Sequence, residues 1–237
     1  MSVAGAAYIL ADQARMTRAK NYFAWQARMV LPEVGARVLE MGCGIGNFTG
    51  MLLEREAVIA VDVEGECVER LRERYPNQAN LRAFAFNMDG GRYADLARVR
   101  ADTCVCLNVL EHVRSDEAAI RGMASALPSG GAIVLIVPAF PSLYGPIDRN
   151  LGHYRRYTRA SVARLAREGG LLVKKLRYMN SPGFFGWWIN AHVFRREEQS
   201  EGQIDFFDSW VVPVASRVEA LIPPPFGQSI FAVLEKR

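Results

Sequence analysis

Residues Val38-Leu39-Glu40-Met41-Gly42-Cys43-Gly44-Ile45-Gly46-Asn47 join an apolar, strand-like run to a loop with a glycine at every second position. Glycines in such a loop let the backbone turn tightly and pass close to a ligand, where a β-carbon would be in the way. A dinucleotide-binding fingerprint would need a glycine where Asn47 stands. The charge of Glu40 at the strand end would also repel a pyrophosphate. The motif therefore favours a ligand loop for something other than a dinucleotide.

Strand-like and helix-like segments alternate along the chain around this motif. The predicted strands are Arg37–Met41, Val58–Val63, Leu81–Phe86, Thr103–Asn108, Ala132–Pro138, Leu171–Tyr178 and Ser229–Leu234. The predicted helices among them are Asn47–Arg55, Glu66–Tyr75, Tyr93–Arg98, Asp116–Leu127 and Thr158–Glu168. This alternation predicts an α/β fold with a doubly wound, seven-stranded, mostly parallel sheet that carries helices on both faces.

Two further segments complete a predicted single domain over residues 1–237. An amphipathic helix from about Asp12 to Val30 precedes the sheet and forms an N-terminal helical cap, residues 1–32. The core, residues 33–178, is followed by an aromatic insertion, residues 179–226, and by the closing strand in residues 227–237. Connections in compact domains are usually about 4–6 residues long, so we expect so long an insertion to carry structure and function.

The composition is that of a folded, soluble protein. Half of the 237 residues are apolar, 23% are charged, and the mean hydropathy is +0.01. A net charge of +4 permits an anionic partner without requiring one. The four cysteines lack the spacing of a zinc site, and the N-terminus lacks the basic and apolar regions of a signal peptide. These features predict a cytoplasmic protein.

The glycine motif resembles that of the class I S-adenosylmethionine-dependent methyltransferases. Their first motif, E/D-x-G-x-G-x-G, is matched by Glu40, Gly42, Gly44 and Gly46, and the similarity covers about residues 37–138. The resemblance implies a Rossmann-like fold, methyltransferase activity, S-adenosyl-L-methionine as cofactor and S-adenosyl-L-homocysteine as product. It also implies that the acid contacts the cofactor's ammonium end. The implied cofactor-binding residues are Glu40, Gly42, Cys43, Gly44, Gly46, Asn47, Phe48, Asp62, Val63, Met88, Asp89, Asn108 and Val109.

Two acidic residues of that set have more than one interpretation. Asp62 ends the second predicted strand, where its carboxylate can accept hydrogen bonds from both ribose hydroxyls. The alternative is an ordinary cap for the helix that comes next. Asp89 comes after the third strand and resembles the family acid that binds the adenine amino group. The alternative is a turn aspartate before two glycines.

The residues after the fourth strand distinguish among classes of acceptor. Asn108-Val109-Leu110-Glu111 stands where amino-methylating DNA enzymes of this fold carry N/D-P-P-aromatic. Cys104 and Cys106 alternate within an apolar strand, which is typical of core residues and not of the nucleophilic cysteine of RNA enzymes. The N-V-L-E-H form looks like that of enzymes acting on small molecules. We therefore expect a small-molecule acceptor and no nucleic-acid partner.

His112 has three interpretations: a general base, a metal ligand, or a structural residue of its loop. The metal motif of ubiquinone-pathway O-methyltransferases, E-x-x-E-H, would need a glutamate at Asn108. Its replacement removes a hard anionic ligand, so we expect no metal.

The segment from Phe140 to Thr158 leaves the carboxyl end of the fifth strand, where doubly wound sheets bind ligands. It is similar to a Y-G-x-x-D-x-x-x-G-H-Y-R-R-Y-T stretch of an uncharacterised bacterial subgroup of methyltransferases. It forms either a packed Ω-loop or an acceptor site whose arginines fix an anionic group. The expected catalytic residues are His153, which is preferred as the base, His112 and Tyr157. The expected substrate-binding residues are Tyr22, Tyr144, Arg155, Arg156 and Trp187.

The insertion contains Gly183-Phe184-Phe185-Gly186-Trp187-Trp188, with four large aromatic side chains between and after two glycines. We interpret the insertion, with the N-terminal helix, as a mobile cover over an acceptor that has an apolar part. The alternatives are a second core layer and a contact with a membrane surface.

The expected function is methyl transfer from S-adenosylmethionine to a small molecule, by O-methylation of a partly apolar metabolite that can be anionic. A regulatory domain that binds the cofactor without catalysis is the main alternative. A nicotinamide dehydrogenase and a nucleic-acid methyltransferase rank after it. The oligomeric state is left open.

Overall fold

A computed structural model describes residues 3–237, with side chains from Tyr8 onward; the first two residues of the predicted cap lie outside it. Seven strands form one sheet in the order β3-β2-β1-β4-β5-β7-β6, in which only β7 runs antiparallel to its neighbours. The strands are β1 (Arg37–Met41), β2 (Ala57–Asp62), β3 (Leu81–Ala85), β4 (Thr103–Leu107), β5 (Ala132–Pro138), β6 (Leu171–Met179) and β7 (Ser229–Lys236). The predicted seven-stranded, mostly parallel sheet is confirmed.

Helices cover both faces of the sheet, and this accounts for the sequences of its central strands. β4 and β5 are nearly continuous apolar runs because both of their faces are buried. The helices are α1 (Val3–Met16), α2 (Lys20–Val30), α3 (Gly65–Arg74), α4 (Tyr93–Ala97), α5 (Asp116–Ala126), α6 (Pro146–Asn150), α7 (Arg159–Glu168), α8 (Ser181–His192), α9 (Glu201–Phe206) and α10 (Val212–Leu221).

The predicted helix at Asn47–Arg55 is wrong. The structure has only a short 3-10 turn there, Thr49–Met51. The Thr49 hydroxyl donates a hydrogen bond to Glu40, and a β-carbon on Gly50 would lie 2.4 Å from the Tyr75 hydroxyl. Contacts around the glycine loop therefore replace the regular helix that the pattern predicted.

The N-terminal cap consists of two helices, α1 and α2, where the sequence predicted one. The break falls at residues 17–19. The Thr17 hydroxyl donates to the carbonyl of Ala14 and satisfies the end of α1, and the backbone N–H groups of Thr17, Arg18 and Ala19 close turns onto the preceding residues. The break allows α1 to reach the glycine loop while α2 packs on the core.

The insertion between β6 and β7 is helical. It contains α8, then α9, which continues through a π-helical turn at Phe207–Val211 into α10. Ser181, at the start of α8, hydrogen-bonds Glu219 in α10, and Asn190, near the end of α8, accepts from Gln203 in α9. These links tie the start of α8 to α10 and the end of α8 to α9. Among the helices described, none is long and apolar enough to cross a bilayer.

Candidate functional site

A cavity of about 810 Å³ opens at the carboxyl ends of β1, β2 and β4. Ligands of open α/β sheets bind at this edge. Helices α1, α2 and α8 and the α9 region contribute walls. The predicted cofactor residues that line it are Glu40, Gly42, Cys43, Gly44, Asn47, Phe48, Asp62, Val63, Met88, Asp89, Asn108 and Val109, and the predicted acceptor residues that line it are Tyr22, His112, His153, Arg156 and Trp187.

The glycine loop has the backbone that its sequence requires. Gly42, Gly44 and Gly46 have φ of 72°, 52° and 83°, a region that favours glycine. A β-carbon on Gly42 would lie 2.2 Å from a methyl group of Val109. Gly46 does not line the cavity, and a β-carbon there would lie 2.5 Å from Leu71. Its role is to close the turn.

Glu40 is buried at the floor of this loop. Its Oε2 accepts a hydrogen bond of 2.7 Å from the Thr49 hydroxyl, and the side chain lines the cavity. Burial raises the pKa of Glu40 to about 8. The hydrogen bond from Thr49 lowers this pKa, but by less. A cation placed next to this carboxylate would favour its ionised form. The site therefore fits the ammonium end of an amino-acid tail.

The Asp62 carboxylate supports the loop and also lines the cavity. One oxygen accepts from the backbone N–H of Gly44 at 2.8 Å, and the other accepts from that of Glu64 at 3.0 Å. Burial raises the pKa of Asp62, while these N–H groups lower it. Each carboxylate oxygen keeps a lone pair, so the residue can also accept from ribose hydroxyls. The structural and ligand interpretations are compatible.

Asp89 is exposed at the cavity edge. Its carboxylate accepts from the backbone N–H groups of Arg114 at 3.0 Å and Ser115 at 3.2 Å. The residue thus joins the loop after β3 to the loop before α5. Neither contact lies within the turn before the two glycines, so the side chain does not act as a turn aspartate. A free lone pair on each oxygen leaves room for an amino group.

Gln13, which was not among the predicted site residues, connects α1 to the glycine loop. Its Oε1 accepts from the backbone N–H of Ile45 at 3.0 Å, and its carbonyl accepts from the side chain of Asn47 at 2.9 Å. A β-carbon on Gly44 would lie 2.5 Å from the Gln13 side chain. No motif in the sequence marks Gln13, because the contact is between distant elements.

Asp148 is a second residue that was not predicted from the sequence. It binds three side chains that line the cavity, those of His153, Arg156 and Trp187. This buried carboxylate accepts four hydrogen bonds: His153 Nδ1 at 2.8 Å, Arg156 Nε at 2.8 Å, the Gly145 N–H at 2.9 Å and Trp187 Nε1 at 3.3 Å. Burial alone would raise the pKa of Asp148. The hydrogen bond from His153 and the charge of Arg156 lower it below its usual value.

His153 is held in a defined orientation by this carboxylate. Because Nδ1 is bonded to Asp148, the neutral ring has its lone pair on Nε2. The ring of His112 packs edge-on against it, with centroids 4.6 Å apart. Burial and the neighbouring His153 lower the pKa of His112 to about 3, so His112 is a weak base. Of the two histidines, His153 is the better placed to take a proton.

Glu111 is a further cavity residue to which the sequence assigned no role. It is 1% exposed, and its Oε2 has no hydrogen-bond partner among the described residues. Burial raises the pKa of Glu111 to about 7. One potential ligand atom each from Glu111, His112 and His153 lies within 4.8 Å of the others, so these residues could hold a metal ion. The group does not include Asn108, the position on which the expectation of no metal was based.

Three predicted acceptor residues, Tyr157, Tyr144 and Arg155, do not line the cavity, and their polar groups are bonded elsewhere. The Tyr157 hydroxyl is buried outside the cavity, 3.1 Å from a carboxylate oxygen of Asp116 and 3.2 Å from the Leu110 carbonyl, and it donates its one proton to either. The Tyr144 hydroxyl donates to the carbonyl of His153 at 2.8 Å. Arg155 donates to the carbonyl of Arg114 and pairs with Asp116.

Arg156 lines the cavity but is not a free cation. It is buried, its Nε is bonded to Asp148, and its NH1 donates to the carbonyl of Ala139 at 3.2 Å. Its guanidinium stacks 4.8 Å from the ring of Trp187. Binding of an anionic acceptor by Arg155 or Arg156 is therefore not supported, because both arginines are already paired.

Comparison with known proteins agrees with this geometry. The model of a family described as "Methyltransferase domain" matches residues 12–176. Over 116 residues the chain is 35% identical to the ubiquinone biosynthesis O-methyltransferase of Xanthomonas campestris pv. campestris (strain B100), covering 46% of this chain and 45% of that one. Over 105 residues it is 30% identical to the trans-aconitate 2-methyltransferase of Rhodopseudomonas palustris (strain BisB5), covering 43% of this chain and 38% of that one.

The chain thus spans less than half the length of these curated relatives. A chain from the solved complex between the Haloferax volcanii Trm112 methyltransferase activator and its methyltransferase has the same fold, with a TM-score of 0.64 and 15% identity over 94% of this chain and 92% of that one. The matched family model covers more than half of the protein. The chain belongs to this methyltransferase domain family, and its fold is that of solved S-adenosylmethionine-dependent methyltransferases.

Proposed function

We propose that the protein methylates a hydroxyl oxygen of a small, partly apolar molecule, with His153 as the base. The observation that carries the proposal is the buried Asp148–His153 pair at the acceptor side of the cavity. A carboxylate that fixes one ring nitrogen orients the imidazole and leaves the other nitrogen for proton transfer. Asp148 lies behind the cavity wall, whereas His153 lines the cavity, and a histidine buried for packing alone would not need to do so.

The cofactor residues divide by the part of the molecule they would hold. Glu40 faces the ammonium end, Asp62 the ribose hydroxyls, and Asp89 the adenine edge. Asn108 and Val109, at the end of β4, lie between these residues and the Glu111–His112 turn. When bound, S-adenosylmethionine supplies an electrophilic methyl group.

The protein's own contribution to the reaction is positioning, exclusion of water and removal of one proton. The acceptor oxygen must approach to about 3 Å along the line of the breaking carbon–sulfur bond. As the new carbon–oxygen bond forms, the bonding electrons leave with sulfur, and His153 Nε2 takes the hydroxyl proton. Asp148 then stabilises the resulting imidazolium.

We call the part of the cavity around Glu111, His153 and Trp187 the acceptor chamber. It favours a neutral molecule that donates hydrogen bonds. Its apolar walls include Phe23, Trp187 and Phe207, while the unpaired Oε2 of Glu111 is an acceptor without a partner among the residues described. An acceptor with an apolar body and at least one hydroxyl satisfies both features.

The trans-aconitate enzyme, by its name, acts on an acid, and such a substrate would need a cation. Of the two arginines that line the cavity, Arg156 is already paired and Arg114 is exposed to solvent. We therefore favour the chemistry named for the ubiquinone-pathway relative, O-methylation.

The test is methyl transfer from labelled S-adenosylmethionine into a fractionated metabolite extract, followed by assay of His153→Ala on the labelled acceptor. We expect the turnover number to fall by roughly 10²–10⁴, with affinity for S-adenosylhomocysteine retained. The matched control is His192→Ala, because His192 bonds the Ser142 carbonyl outside the cavity.

Full activity of His153→Ala would refute the base assignment. Cofactor binding without transfer to any fraction would instead favour the regulatory alternative. Loss of wild-type activity in a chelator, restored by a divalent metal, would assign Glu111, His112 and His153 to a metal site in place of a base.

A further inference from the structure

The outer side of the insertion carries a stripe of exposed apolar side chains. Phe206, Trp210, Val214, Val218 and Leu221 recur at intervals of three or four residues along α9, the π-helical turn and α10, and they are 54% to 84% exposed. Residues at this spacing lie on one side of a helix. Single exposed apolar residues are common, but a continuous stripe of large ones marks an interaction surface. We refer to these five residues as the outer stripe.

The outer stripe is not the face that packs on the protein. Ile204, Phe207 and Asp208 line the cavity from the same helical segment, and Val212 and Ala215 are buried. The inner side therefore already provides the packing that a second core layer would supply. The outer stripe is additional apolar surface, with no contact in the described chain that explains it.

The neighbouring helix α8 exposes apolar side chains of the same kind. Phe185, Trp188, Ile189, Val193 and Phe194 are 40% to 62% exposed. The link between Asn190 and Gln203 joins this helix to the start of the segment that carries the outer stripe. Two tryptophans and three phenylalanines are thus exposed in one insertion, an aromatic content typical of segments that rest in a membrane interface.

Three of the four exposed charges of the insertion that lack an ion pair are positive. Arg195, Arg196 and Arg217 have no carboxylate partner among the described residues, and Glu197, beside Arg196, is the unpaired acid. Three nearby acids, Glu198, Glu201 and Asp205, pair with Arg15 or Arg18 of the N-terminal cap. Arginines beside exposed aromatic rings match a surface that is apolar within and negative at its headgroups.

We infer that this face of the insertion docks on an anionic lipid bilayer. A second copy of the chain is the other occupant that an apolar face could take, and the test below separates it from a bilayer. The inference is independent of the acceptor, and it stands if the base assignment fails. Because the segment that bears the outer stripe also forms a cavity wall, docking would bring that wall to the bilayer, where amphipathic acceptors accumulate.

The test is co-sedimentation of the full chain with phosphatidylcholine vesicles that contain or lack phosphatidylglycerol. We expect binding to the anionic vesicles, and weakening of that binding in about 0.5 M salt. The double variant Trp210→Ser, Leu221→Ser and the double variant Arg195→Gln, Arg196→Gln should each reduce partitioning by about tenfold or more. Both should bind S-adenosylhomocysteine as the wild type does, since none of the four residues lines the cavity.

The matched control for charge is Arg98→Gln, Arg121→Gln, two exposed arginines that lie just after α4 and on α5, outside the insertion. This control should partition like the wild type. Absence of wild-type binding to anionic vesicles would overturn the inference, as would an equal loss in the control. A dimer in solution that Trp210→Ser, Leu221→Ser dissociates, without vesicle binding, would assign the face to a second copy instead.

Discussion

Asp62 is the residue at which cofactor binding can be tested most directly. Replacement by alanine should weaken binding of S-adenosylhomocysteine by about 1–3 kcal/mol, roughly 5–150-fold, because ribose hydroxyls would lose their acceptor. Calorimetric titration measures the change, with Asp95→Ala on the exposed side of α4 as the control. Because Asp62 also accepts from Gly44 and Glu64, thermal unfolding should verify that the variant is folded. Unchanged affinity in a folded variant would remove Asp62 from the cofactor site.

Glu40 makes both stability and cofactor binding depend on pH. Its pKa in the folded protein is about 8, above the usual value of 4.5. Unfolding therefore releases a proton between these values, and the ligand-free protein loses stability as the pH rises from the lower value through about 8. Glu40→Gln, which carries no charge, should be more stable than the wild type at pH about 8 by ~1–3 kcal/mol, and not at pH about 5.

Glu40→Gln should stabilise the ligand-free protein but weaken its binding of S-adenosylhomocysteine. An ammonium group favours the ionised carboxylate, so wild-type affinity for S-adenosylhomocysteine should rise between about pH 6 and pH 8. Glu40→Gln should bind more weakly and lose that slope. Thermal unfolding and calorimetry at the two pH values measure both effects. A wild-type slope retained in Glu40→Gln would mean that another group titrates.

At the scale of elements, local periodicity was enough to predict most of the strands and helices. All seven strands lie within two residues of their predicted bounds, because buried parallel strands are short apolar runs between turn residues. The helices α3, α4, α5 and α7 agree similarly. The helix predicted at Asn47–Arg55 failed because the Thr49 and Gly50 contacts around the glycine loop override helical propensity.

The candidate site likewise contains residues that the sequence identified and residues that it did not. The glycine motif and Asp62 could be identified because their signal is contained in a few adjacent residues. Asp148, Gln13 and Glu111 could not, since their importance depends on partners that are remote in sequence or, for Glu111, on an oxygen left unpaired among the described residues. The sequence also could not show that Asp116 already contacts Arg155 and Tyr157.

At the scale of the whole molecule, the insertion and the N-terminal cap enclose the sheet edge together. Arg15 and Arg18 of the cap pair with Glu198 and Asp205 of the insertion, so the two segments meet over the cavity. Exposed ion pairs of this kind contribute only about 0–1 kcal/mol each. Opening at the α9 end therefore costs little. The rest of the insertion is held by the buried Asp208, which accepts from the backbone N–H groups of Asn21 and Tyr22, and by Val212 and Ala215 in the core.

The weak ion pairs at the α9 end are the structural support for the prediction that residues 182–226 act as a mobile cover. Backbone hydrogen exchange in this range should be fast in the free protein and slow when S-adenosylhomocysteine and the acceptor are both present, because Trp187, Ile204 and Phe207 would then pack on bound molecules. Exchange in β4 and β5, buried in both states, provides the internal control. Equally slow exchange of the insertion in the free protein would identify it as a static layer of the core. In that case the acceptor would have to enter between α1 and the glycine loop, where the Gln13 contacts would need to break.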